Sequence, residues 1–137
     1  MERRLMKPNV ALKITSLLSI VLFSLHWAHE IARGTEVGTL SASGGFVILT
    51  VWLTGVFVFA EKRWGLILVL LGAILASGVP LLHMRGAGLV GGRIAAASGF
   101  LGTFFWVWTN IALGASGMLS VVLSVRALLG TRRSQAK

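Results

Sequence analysis

Long apolar runs with few charges in them constrain this chain more than any other feature. Four can be drawn, at residues 10–31, 44–60, 64–83 and 94–125. A helix needs about 20 mostly apolar residues to cross roughly 30 Å of hydrocarbon, and segments down to about 17 suffice. Only 12% of the 137 residues are charged, against about 25% in a soluble globular domain. The mean hydropathy of +0.86 agrees. The sequence therefore predicts an all-α integral membrane protein, a four-transmembrane-helix bundle that forms one membrane domain over residues 1–137. The polar stretch 32–43, the turn Glu61-Lys62-Arg63 and the Gly-rich stretch 84–93 would join the helices.

Orientation follows from the basic residues, because short cytoplasmic loops carry an excess of Lys and Arg. With the N-terminus inside, one side holds Arg3, Arg4, Lys7, Lys13, Lys62, Arg63, Arg126, Arg132, Arg133 and Lys137, and the other only Arg33, Arg85 and Arg93. Ten against three predicts N-in/C-in topology, with both termini cytoplasmic, as in a bacterial cytoplasmic (inner) membrane. The first run resembles a signal peptide in having basic residues before it. It is long, however, and no small-x-small cleavage site follows, so it reads as a retained helix. The net charge of +9 is spread over segment ends and not gathered on an aromatic-studded surface, so it argues for topology and against nucleic acid.

The chemical repertoire is short. There is no Cys, no Tyr and no Asp, which removes disulfides, thiolate metal sites and covalent haem attachment. The remaining candidates converge. His26, His29 and Glu30 stand at i, i+3 and i+4, on one side of a helix. At about 1.5 Å per residue, His26 lies about 20 Å and Glu30 about 26 Å beyond Lys13, while His83 lies about 28 Å beyond Trp64 in the third run. All three histidines thus come to one side of the membrane at similar depth.

Ionisable groups at that depth are costly and usually face the bundle interior, pair with one another or line a path. Four readings stay open. The residues are interfacial polar groups, Glu30 paired with Arg33 or Arg85, binding nothing. Or His26, His29, Glu30 and His83 hold a transition metal such as Zn, Cu or Fe, which imidazole suits. Or His29 and His83 hold a b-type haem, with room left by the glycines after His83. Or His29 and Glu30 form a proton or substrate site. The H-x-x-H-E string is neither H-E-x-x-H nor H-x-x-E-H, so a zinc-protease motif is absent.

Smaller features complete the expectation. Asn110 is the sole carboxamide within a predicted span and suits an interhelical hydrogen bond. Pro80 frees a carbonyl of the third helix near His83. Ser43-Gly44 with Thr54 recurs 55 residues on as Ser98-Gly99 with Thr109, a likeness too thin to establish duplication. Gly114-Ala115-Ser116-Gly117 offers a close-packing surface for a homo-oligomer or a larger membrane complex. The leading expectation is a non-enzymatic membrane protein that binds a metal ion or haem. The alternatives are an accessory or assembly subunit, or a small transporter or lipid-binding protein.

Overall fold

The computed structural model describes the backbone of residues 2–33, 39–60, 62–83 and 99–135, and side chains within 10–33, 43–60, 62–83 and 99–130. Every element among them is a helix: α1 (Glu2–Ala32), α2 (Thr39–Phe57), α3 (Arg63–His83) and α4 (Gly99–Gln135). The Gly-rich stretch 84–93 with Arg85 and Arg93, residues 34–38 of the loop 32–43, Glu61 and Ser98 lie outside the described residues, and α2 begins at Thr39, inside that loop.

Three stretches are long and apolar enough to cross a membrane: Val10–Ala32, Arg63–His83 and Gly99–Gly130. The described apolar part of α2, Ser43–Phe57, is shorter. The helices differ from the apolar runs at their ends. α1 begins at Glu2, before residue 10, and α4 continues to Gln135, beyond residue 125. Backbone hydrogen bonding is indifferent to side-chain polarity, so a helix outruns the apolar stretch that betrays it. α2 stops three residues short of 60 because the Thr54 carbonyl accepts both the Val58 and Phe59 N–H groups, at 2.9 and 3.1 Å. That widened turn leads through the Lys62 N–H bond to Phe59 O into α3.

α1 and α4 run antiparallel in a fixed register. Ser19 Oγ donates to Ser116 Oγ at 2.9 Å, and one face higher His26 Nδ1 meets Asn110 Nδ2 at 3.2 Å. Seven residues up α1 match six down α4. Small polar side chains line the interior of both helices, with Ser16 and Ser19 of α1 and Ser116, Ser120 and Ser124 of α4 all buried. Such residues let helix backbones approach closely where lipid supplies no hydrophobic drive for association. α3 fills the angle with Ala73 and Ala76, both fully buried.

α2 leans on α3 through one large-into-small contact. The buried Trp52 indole lies where a Cβ on Gly72 would stand. The outward faces carry Phe46, Phe57, Leu81, Phe104 and Met118, all exposed. α3 passes through Pro80 without ending and closes at His83. The Pro80 ring rests where a Cβ on Gly114 would be, so the small residue of α4 receives the proline of α3.

Candidate metal centre

α1 supplies His26 and Glu30, one turn apart, and α3 supplies His83 as its last residue. The i, i+4 spacing stacks the first two on one helix face, and that face is the one turned toward α3 and α4. Three potential ligand atoms meet there. Glu30 Oε1 lies 3.3 Å from His26 Nε2 and 3.1 Å from His83 Nε2, and the two Nε2 atoms are 3.2 Å apart. The group is sheltered: His26 is 2% and Glu30 7% exposed, so the carboxylate is withdrawn from solvent and depends on its partners.

The ring planes are held from below by Trp106 of α4. Its indole centroid is 5.9 Å from that of His26 and 5.2 Å from that of His83, and the two imidazoles meet edge to face at 5.0 Å. Asn110, one turn further along α4, donates from Nδ2 to the Trp106 carbonyl at 3.0 Å while facing His26 Nδ1. One buried polar atom beside the group, Asn110 Oδ1, has no hydrogen-bond partner. Unmet hydrogen bonding of this kind, next to three converging ligands, calls for an explanation.

Without an ion, the three atoms lie in polar contact and join α1 to α3, the carboxylate oxygen facing both imidazole Nε2 atoms. With an ion, the same triangle is a ligand set. Four-coordinate zinc has metal–ligand bonds of about 2.0–2.1 Å, which places neighbouring ligand atoms about 3.3 Å apart. Octahedral neighbours at such bond lengths would be about 2.9 Å apart. The observed 3.1–3.3 Å lies nearer the tetrahedral value. An ion at that bond length would sit roughly 0.9 Å out of the plane of the three atoms, with its fourth position open.

The fourth residue expected from the sequence stands apart. His29 is half-buried, its ring 5.5 Å from that of Phe105 and its Nε2 without a hydrogen bond; it is not among the three residues whose ligand atoms converge. Two axial histidines of a haem need their nitrogens about 4 Å apart, twice a metal–imidazole bond, with the macrocycle between them. His29, the haem candidate on α1, packs against Phe105, and the imidazole that meets His83 is that of His26, Nε2 to Nε2 at 3.2 Å. Arg33 is exposed, and its backbone N–H closes the last turn of α1 on His29 O at 3.1 Å. Asn110 makes the interhelical bond that its isolation in an apolar run suggested. Trp106 carried no signal in the sequence beyond its depth.

Beside the group lies a half-open groove of about 490 Å³ between α1, α2 and α3. His26, Glu30 and His83 line one end of it, and Phe23, Trp27, Ile48, Val79 and Leu82 form apolar walls. Gly45 of α2 leaves the space that the Trp27 indole fills, whereas a side chain on Gly44 would meet nothing. Comparison with family models, curated proteins and solved structures finds no match to this chain.

Proposed function

We propose that this protein spans the bacterial inner membrane four times, with both termini in the cytoplasm, and binds one divalent transition-metal ion, zinc by geometry, at His26, Glu30 and His83 near the outer face. One observation carries the metal reading: three ligand atoms from two helices converge within 3.1–3.3 Å at a sheltered point. The donor set supports it, since two imidazoles and a carboxylate with an open position form a recurrent zinc arrangement. The environment supports it too. A carboxylate withdrawn from water in an apolar helix packing costs free energy that a dication offsets. Asn110 lies beside His26 Nδ1 through its Nδ2, and its amide, turned over, would supply the acceptor that a metal-bound imidazole needs.

The membrane reading rests on composition and on the three long apolar helices. α2 joins them as a fourth span because its 19 residues reach about 28 Å at 1.5 Å per residue. The ten-to-three division of Lys and Arg supports the orientation.

The test is elemental analysis of protein purified in non-ionic detergent and equilibrated with zinc. One equivalent of zinc in the native protein, and none in Glu30→Gln combined with His83→Ala, is the expected result. Equal metal content in both proteins, or none in the native protein, overturns the metal reading. A Soret band in the purified protein would replace it with haem. For topology, the chain's lack of cysteine permits single-cysteine labelling in intact cells. Ala87→Cys should react with an impermeant maleimide and Lys62→Cys should not.

A further inference from the structure

The metal centre ends one wall of an apolar cavity, and its charge balance says what fits there. We propose that the cavity between α1, α2 and α3 binds a monoanionic, single-chain amphiphile, of the long-chain carboxylate class, whose head group takes the open position on the ion. The proposal rests on the metal reading above and deepens it by assigning the fourth ligand.

Three observations converge. First, the volume of about 490 Å³ falls within the roughly 300–1,000 Å³ typical of ligand sites, and the lining is apolar except at the His26, Glu30 and His83 end. Second, the cavity follows α1 from Glu30 down to Phe23, seven residues or about 10 Å, so it takes an elongated apolar body with its polar end at the ion. Third, a dication with Glu30 as its one anionic ligand carries a net charge of +1. No Lys, Arg or second carboxylate lines the cavity among the described residues. In apolar surroundings an uncompensated charge is costly, and a monoanionic oxygen ligand brings the centre to neutrality, whereas a neutral alcohol leaves it charged. Recognition of the head is thus assigned to the ion, and recognition of the tail to Phe23, Trp27, Ile48, Val79 and Leu82.

Cobalt(II) in place of zinc gives a visible spectrum that reports the ion's coordination. Cobalt-loaded native protein in non-ionic detergent is titrated with laurate, with dodecanol and with acetate. Laurate should change the cobalt spectrum saturably, with an affinity more than tenfold that of acetate, because each methylene buried against the walls contributes about fourfold. Dodecanol should leave the spectrum unchanged. Gly44→Leu, which fills the cavity from α2 without touching a ligand residue, should keep one cobalt per chain and lose at least about tenfold in laurate affinity. Cobalt uptake with no response to laurate, with acetate as effective as laurate, or with Gly44→Leu responding like the native protein, overturns the amphiphile proposal alone. Failure of the native protein to take up cobalt overturns the metal reading and this proposal together.

Discussion

Asn110 Nδ2 of α4 lies 3.2 Å from Nδ1 of His26 on α1, and the amide is fully buried with its Oδ1 unpartnered. As placed, the amide N–H donates to Nδ1, so the proton of a neutral His26 sits on Nε2 and faces Glu30 and His83. A metal on Nε2 reverses this. Nδ1 then carries the proton, and the amide must present Oδ1 to accept it. The two orientations differ by a half-turn of the Asn110 side-chain amide, which would also give up the Nδ2 bond to the Trp106 carbonyl, so loading would exchange one hydrogen bond of Asn110 for another. Asn110→Leu removes both options at nearly constant volume. Loss of an outer hydrogen bond of this type typically weakens metal affinity 10–100-fold. Chelator competition on the native protein and the variant measures this. An unchanged affinity would show that Asn110 serves only the packing of α1 on α4.

The histidines of α1 should separate cleanly by function. His26→Ala removes one of three converging ligands and should abolish stoichiometric zinc. His29→Ala removes a ring that contacts Phe105 and should retain one zinc per chain, with stability lowered by about 1 kcal/mol for the lost ring contact. Elemental analysis with circular dichroism on the two variants decides it. Zinc loss in His29→Ala to the same degree as in His26→Ala would return His29 to the ligand set.

That contrast also marks the limit of what the sequence discloses. The shared depth of His26, Glu30 and His83 was legible, because rise per residue and chain direction fix it. That His26 and not His29 meets His83 was not. Positions i, i+3 and i+4 share a broad face, yet consecutive residues such as His29 and Glu30 diverge by about 100° around the axis. Of the three, His26 and Glu30 bring their ligand atoms to His83 Nε2, given where α3 and α4 sit. Asn110 stood out as an isolated carboxamide, but its partner depends on the α1–α4 register. Nothing local fixes that register. The Ser19–Ser116 hydrogen bond does so, and serines in apolar runs resemble ordinary helix filler until two helices are laid together. The cavity was illegible for the same reason, since its walls come from three helices.

Metal binding should stabilise the fold, because the ligands belong to α1 and α3 and are brought together only when those helices dock. A ligand at 100 times its dissociation constant contributes about 2.7 kcal/mol. For a chain of this size that corresponds to a rise in Tm of several degrees. Thermal scans by circular dichroism with and without zinc should show it for the native protein and not for Glu30→Gln. An equal zinc effect on both would place the stabilising site elsewhere.

The contact of Trp52 with Gly72 should control the cavity independently of the metal. Trp52 is 1% exposed, and its indole occupies the space of a Gly72 Cβ, so a larger residue there must push α2 away from α3. Overpacking of this kind costs typically about 1–3 kcal/mol. α2 supplies Ile48, Gly44 and Gly45 to the cavity wall but no ligand to the ion. Gly72→Val should therefore lower the thermal midpoint and weaken laurate binding while one cobalt ion still binds. Trp52→Leu added to Gly72→Val relieves the clash and should recover part of both losses, since residues in contact deviate from additivity. Should the double variant be less stable than Gly72→Val by the full cost of truncating a buried tryptophan, the indole and the glycine are not in the contact described, and the position of α2 against α3 would need another support.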